Sequence, residues 1–384
     1  MIEDYIVLIA TIAFIVILSP YIAKVTNVPT TPIEIILGAI FGYAGFLYGE
    51  QHFEFIAEVG FIYLMFLAGT EINIKTVMRI ERALVKGIAL YLTALYALSV
   101  LAVWYFGFSL IFIVLLPLIS VGLVAALTKE YGKTPWLTLS MTAGGIGEVI
   151  SIALLTLSSA ILEFGVGFDL ARIIATLVIF MFVIILIFRL LQLFFWWFPQ
   201  VSTALMPHDD NKDKDIRLSM GILLLLLVVM MYLHLELAFA AFIAGMFIPT
   251  FFEHKDELPE KLGSFGFGFL VPIFFIYIGS TFKLEALMMP GLIEKALLIT
   301  SVMIGIRVIA TQFFTTTLGW RNALLHGLSH AMPLTLLIAL TTIAYNNKSI
   351  DELHYYALIL ASLFEVILVM IAIKMIQKKA QNSI

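Results

Sequence analysis

The chain predicts an all-α polytopic membrane protein of about thirteen transmembrane helices, built from inverted repeats with two discontinuous helices. Three observations carry that expectation: an apolar composition, the spacing of long apolar segments, and a matched pair of segments interrupted near their middles. Of 384 residues, 62% are hydrophobic and 12% charged, and the mean hydropathy is +1.08. A soluble domain carries about twice that share of charge, which excludes a soluble enzyme, a nucleic-acid-binding protein and a disordered chain. A helix needs about 20 apolar residues to cross the hydrocarbon core, so thirteen spans leave short connections and no room for a sizeable soluble domain. The net charge of -4 discriminates little among partners. With no cysteine present, disulfides, thiolate chemistry and Cys-ligated metals are ruled out.

The N-terminal stretch MIEDYIVLIATIAFIVIL has acids where a signal peptide has Lys or Arg, and reads as a retained first helix. The hydrophobic segments stand at about 5–23, 31–49, 55–74, 84–106, 109–128, 137–161, 173–198, 217–235, 237–252, 264–282, 292–318, 322–345 and 355–377. Only His234 to Glu236 separate the eighth from the ninth. Basic residues test the count. With the N-terminus outside, about sixteen fall on the inner side, Lys24, Arg82, Lys86, Arg321 and Lys378 among them. The outer side receives Arg172, Lys283, Lys295 and Lys348. That bias predicts a multi-pass protein of the cell (inner) membrane with its C-terminus cytoplasmic. The polar stretch PHDDNKDKDIR at 207–217 reads as a solvated inner loop. Lys214 and Met220 stand where a calcium loop needs Gly and Glu.

In the fifth segment, LIFIVLLPLISVGLVAALTKE holds Pro117 and Gly122; in the twelfth, LLHGLSHAMPLTLLIALT holds Gly327 and Pro333. Broken helices at matching places in two halves point to a transporter binding site. Seven segments lie between them, so the two run in opposite directions, and segments four to six match eleven to thirteen as an inverted repeat.

An ionisable group deep in a span is costly and is a functional candidate by default. The sequence offers three: Glu148, Arg307 and Glu365. Glu148 follows Gly144, Gly145 and Gly147 near the centre of the sixth segment, where small residues admit a neighbouring backbone. A carboxylate beside unwound carbonyls makes a hard oxygen site for a dehydrated cation. The plainer alternative is a protonated Glu satisfied within a helix interface. Arg307 needs an acid or helix-end carbonyls, Glu148 being one candidate partner. Glu365 is the repeat mate of Glu148, serving as a second proton carrier or as a counter-charge to Arg307. His326 and His330 lie in the twelfth segment, and His330, at the interruption, is a candidate pH sensor.

These residues resemble the monovalent cation:proton antiporter-2 family, which includes Kef-type potassium and sodium exchangers. The resemblance runs over nearly the whole chain through PTTPIEIILGAIFGYAG, AEVGFIYLMFLAGTEINIKTV, AAFIAGMFIP, FLVPIFFIYIGSTFKL and WRNALLHGLS. It implies a sodium–proton antiporter fold, with core helices at about 55–161 and 264–377. A dimerising scaffold would take about 5–49 and 173–252, and no soluble regulatory domain is expected. It also implies that Glu148 stands at the family's ion-binding Asp and Arg307 at its usual Lys or Arg. The chain departs from the family at Glu148 itself, at Gly147 where many members carry an acid, Asn or Gln, at Val121 where Thr is expected, and at His330 to Met332.

The expected activity is secondary antiport of Na+ or K+ against H+, with proton and cation competing for Glu148. Ser120, Thr142 and carbonyls at the breaks complete the shell. With Gly147 unable to carry a second proton, one-for-one electroneutral exchange is the simplest stoichiometry. Two other readings remain open: a sodium-coupled organic-anion symporter using Arg307, and a non-transporting sensor on the same scaffold. No nucleophile–base pair, phosphate loop or metal-ligand spacing points to an enzyme, and no cofactor is implied.

Overall fold

The computed structural model of the protein describes residues 2–26, 29–47, 51–73, 75, 82–132, 134–164, 167–198, 200–201, 213–233, 235, 237–252 and 257–381. Most of the inner loop at 207–217 lies outside them. Every regular element among the described residues is helical. Nine helices there are long and apolar enough to span a membrane, and three more are shorter but apolar. We number them α1 (Ile2–Thr26), α2 (Thr30–Tyr43), α3 (Gln51–Thr70), α4 (Arg82–Phe106), α5 (Phe112–Leu115), α6 (Gly122–Tyr131), α7 (Pro135–Phe164) and α8 (Phe168–Trp197). There follow α9 (Lys214–Leu233), α10 (Leu237–Phe251), α11 (Leu258–Phe265), α12 (Val271–Thr281), α13 (Leu292–Ala310), α14 (Thr315–Ser329), α15 (Leu334–Asn346) and α16 (Glu352–Gln381).

Among the described residues each apolar segment read from the sequence contains helix, and the eighth and ninth are separate helices, α9 and α10. The eleventh and twelfth segments, 292–318 and 322–345, part at Gly319, where the sequence divides them. No open loop intervenes: a 3-10 turn, Thr311–Phe314, joins α13 to α14. The one non-helical residue there is Gly319, at φ 75° and ψ 159°, a backbone conformation that costs glycine little and other residues much. A π-helical turn, Gly266–Leu270, likewise fuses α11 to α12.

The helices form two compact units, residues 1–57, 80–155 and 272–384 in the first and 58–79 and 156–271 in the second. In the first unit, α1 pairs with α2, and Leu8, Ile15, Phe53 and Ile276 form an apolar cluster. There α2 meets α12 at bare backbone. A Cβ on Gly38 would lie 2.3 Å from the Ile276 carbonyl oxygen, and one on Gly279 would lie 2.1 Å from that of Ile35. The second unit repeats the construction. A Cβ on Gly69 in α3 would lie 2.1 Å from Phe242 O, and one on Gly245 in α10 would lie 2.0 Å from Phe66 O. In the same unit Tyr63 Oη donates to Leu262 O at 3.1 Å.

The rest of the first unit is the repeat itself. The helices α4, α5–α6 and α7 correspond to α13, α14–α15 and α16, each set a helix, a broken helix and a thirty-residue helix. Glu148 and Glu365 stand equally far along theirs, which begin at Pro135 and Glu352. Past α15, Lys295 Nζ donates to His354 Nε2 at 3.1 Å, and His354 Nδ1 donates to Asp351 Oδ1 at 2.6 Å, pinning the start of α16 to α13. Slight burial raises the Asp351 carboxyl, but the backbone and ring bonds from His354 outweigh it and hold that group below its usual range.

Candidate functional site

Two interruptions define the site. The first, residues 116–121, separates α5 from α6. Pro117 has no N–H to give a continuing helix, and Leu116 before it is the last residue of that half with helical backbone, at φ -64° and ψ -42°. The second, residues 330–333, separates α14 from α15 and ends at Pro333, the residue capping α15. A broken helix exposes carbonyls where one half ends and N–H groups where the next begins. Deep in a bilayer those groups need protein partners.

One face of α7 supplies them. Ser140, Gly144, Glu148 and Ser151 recur every three or four residues and so share a side of the helix. Glu148 is fully buried. Its Oε2 accepts the Val121 N–H at 2.9 Å and its Oε1 accepts the Ser120 hydroxyl at 3.2 Å. Val121 caps α6, so the carboxylate occupies a helix N-terminus, where free N–H groups and the helix dipole favour negative charge. Ser151 Oγ accepts the Ile119 N–H at 3.1 Å. The glycines permit this approach: a Cβ at Gly144 would stand 2.8 Å from Val121 Cγ1 and 3.1 Å from His330 Nε2, and one at Gly147 would stand 2.7 Å from Ile119 Cδ1.

The second interruption reaches the same face. His330 Nε2 lies 2.9 Å from Ser140 O, which can only accept, so this nitrogen carries the proton. Nδ1 then accepts from the Tyr91 hydroxyl at 3.0 Å. Ser140 Oγ lies 2.9 Å from His326 Nδ1, and Ser329 Oγ donates toward Ser140 Oγ at 2.9 Å. Both histidines are fully buried. His330 thus joins the second interruption to α7 and α4 as a neutral ring.

Arg307, also fully buried, lies between the interruptions. Its Nε donates to His330 O at 2.9 Å, Nη1 to Met303 O at 2.7 Å, and Nη2 to Leu118 O. A rigid donor fork suits such a junction, and the cation meets a carbonyl of each interruption, that of His330 lying at the C-terminal end of α14, where the dipole favours it. Of the partners the sequence offers it, the carbonyls take every nitrogen. Glu148 makes no ion pair with it among the described residues. Glu365 is fully buried, and neither carboxyl oxygen has a hydrogen-bond partner among the described residues.

Three expected positions fall elsewhere. Thr142 bonds back to Thr138 O at 2.8 Å within α7 and is not joined to Glu148. Gly327 does not break a helix: it lies inside α14, where a Cβ would press on Arg307 O at 3.1 Å and on Thr311. Gly122 begins α6, immediately past the first interruption. The sequence reading missed Tyr91, Ser140, Ser151 and the Leu118 carbonyl. The serine spacing on α7 was the available signal; Tyr91 and a bare carbonyl carry none. It also overlooked a further embedded acid, Glu34 in α2, only 4% exposed and accepting from Ser19 Oγ at 3.2 Å. No group of three or more His, Cys, Asp or Glu side chains that could hold a metal occurs among the described residues.

Two broken helices held around a buried acid and a buried arginine, within an inverted repeat, define a secondary-transport fold. The family described as "Sodium/hydrogen exchanger, transmembrane" matches residues 10–379, and the chain belongs to that family. It is 24% identical over 344 residues to "Probable Na(+)/H(+) antiporter 3" of Methanocaldococcus jannaschii, covering 83% of this chain and 84% of that protein. It is also 24% identical over 380 residues to "Putative Na(+)/H(+) antiporter YjbQ" of Bacillus subtilis, covering 93% of this chain and 60% of that longer protein. The fold superposes on the sodium proton antiporter MjNhaP1 of Methanocaldococcus jannaschii with a TM-score of 0.67. The identity there is 15%, and 97% of this chain and 96% of that one are covered.

Proposed function

We propose that the protein exchanges a monovalent cation for protons by alternating access, with Glu148 as the group for which the two compete. The observation that carries this reading is a fully buried carboxylate held by the Val121 N–H and the Ser120 hydroxyl at a helix break. A bare anion in that position is costly, so the side chain takes either a proton or a metal ion, and one occupant excludes the other. The cation would be held by oxygen, from Glu148, Ser120 and backbone carbonyls of the interruptions, as a hard cation prefers. Sodium is the cation we propose, because relatives are named as sodium/proton antiporters. Occupied core helices, at about 55–161 and 264–377, would move against a scaffold at about 5–49 and 173–252 that pairs two copies into a dimer. The N-terminus would lie outside and the C-terminus in the cytoplasm, in the orientation the basic residues favour. Glu148 by itself accounts for one proton per cation.

The organic-anion reading is the weaker one, since Arg307 in this structure directs Nε, Nη1 and Nη2 to backbone carbonyls and the relatives are named as sodium/proton antiporters. The test is transport by protein reconstituted in liposomes with a trapped pH dye. External Na+ should alkalinise the lumen, with K+ compared in parallel, and Glu148→Gln should abolish the response while the protein stays folded. Exchange that survives in Glu148→Gln refutes the assignment, and a wild type inert to both cations favours the non-transporting sensor.

A further inference from the structure

Glu365 is the repeat mate of Glu148, yet the two are treated in opposite ways. Glu148 accepts two hydrogen bonds. Both oxygens of Glu365 are buried with no partner among the described residues. The elements packed against α16 are α2, α13, α14 and α15. Among them α13 brings the charged group that acts on Glu365, Arg307. On α14 and just beyond it, His326 and His330 direct ring nitrogens to Ser140 and Tyr91. In α2, Glu34 is bonded to Ser19, and on α15 Tyr345 stacks on Tyr355 near the start of α16, ten residues before Glu365. The nearby hydroxyl of Thr300 is committed to the carbonyls of Ala296 and Ala361. Arg307 is committed to three carbonyls. An anionic carboxylate with no donor, beside a guanidinium that has turned elsewhere, is not a tenable arrangement in a bilayer. As a neutral acid the same side chain costs less to bury there than the anion would.

We propose that Glu365 is a second proton-carrying carboxyl of the exchanger, neutral in this conformation and converted to the counter-ion of Arg307 when a cation occupies Glu148. The inference rests on the reading of Glu148 given above. In the conversion the Glu365 O–H bond breaks and its proton leaves to water on the side to which the site is open. The carboxylate left behind is neutralised by the guanidinium, which swings from Leu118 O and His330 O. Those two carbonyls belong to the two interruptions, and Leu118 is two residues from Ser120. Their release therefore supplies oxygen ligands where the cation needs them and reshapes the turn that holds Glu148. Each cation bound then expels two protons, one from each acid, and exchange becomes sensitive to membrane voltage.

The experiment is proton release from purified protein in weakly buffered detergent on addition of Na+, with bound Na+ measured in parallel across pH. The wild type should reach two protons per cation at its maximum, Glu365→Gln one, and Glu365→Asp two. Exchange in liposomes should respond to an imposed potential in wild type and lose that response in Glu365→Gln. If Glu365→Gln does not fold, infrared difference spectra of wild type decide: Na+ should remove two protonated-carboxyl bands, one of which shifts in Glu365→Asp. A wild-type release of one proton per cation, or loss of a single carboxyl band, overturns the proposal and leaves the role of Glu148 standing. Undiminished Na+ binding and proton release in Glu148→Gln instead overturns the reading on which the proposal is built.

Discussion

Arg307 replaces, with a single side chain, the partners that two broken helices lose. Its Nε and Nη2 bind carbonyls of different interruptions, at His330 and Leu118, while Nη1 returns to its own helix at Met303. Removing it leaves buried carbonyls on both interruptions. An unsatisfied buried group costs about 1–3 kcal/mol. Arg307→Met should therefore destabilise the protein by about 2–6 kcal/mol if both carbonyls are orphaned, read as a lower thermal midpoint in detergent. Arg307→Lys keeps the charge but not the fork, and should recover part of that loss; an unchanged midpoint in Arg307→Met would show that the carbonyls find other partners. That Arg307 is embedded was legible from a basic residue in an apolar run. Its choice of carbonyls over Glu148 was not, because a sequence does not reveal where a guanidinium finds its acceptors.

At the scale of elements, two kinds of feature set the architecture: interruptions that create the site, and glycine contacts that let helices cross at backbone distance. Pro117 and Pro333 marked the interruptions in the sequence because a missing N–H and a ring clash act locally. Gly327 misled, since a glycine in an apolar helix serves close packing as readily as a break, and here it lies against Arg307 O and Thr311. Gly38, Gly69, Gly245 and Gly279 serve packing of the tightest kind, where any Cβ would enter the neighbouring backbone. Overpacking costs about 1–3 kcal/mol, and a backbone neighbour cannot rotate away. Gly245→Val and Gly38→Val should each destabilise the protein by at least that much, read as a lower thermal midpoint. Gly305→Ala, in α13 with nothing within 4 Å, should be neutral or slightly stabilising, given alanine's advantage of about 1 kcal/mol in a helix. Equal losses in all three would remove the close-contact explanation.

At the scale of the whole molecule, the absence of cysteine makes orientation directly measurable. In the proposed topology, Lys348→Cys reacts with a membrane-impermeant maleimide in intact cells, and Lys378→Cys reacts only after permeabilisation; the reverse pattern inverts the orientation. What the sequence determined by itself was the solvent and the number of apolar segments. It also determined the matching pair of interruptions and the burial of Glu148, Arg307 and Glu365. All of these follow from local composition, since hydropathy, proline chemistry and the cost of burying a charge act through a residue and its chain neighbours. Tertiary structure alone decided which embedded charge meets which partner. Glu148 received an N–H and a hydroxyl from residues 27 and 28 positions away, and Arg307 a carbonyl 189 away. Hydrogen bonds are satisfied by direction and distance in space, and those exist only once the helices have packed.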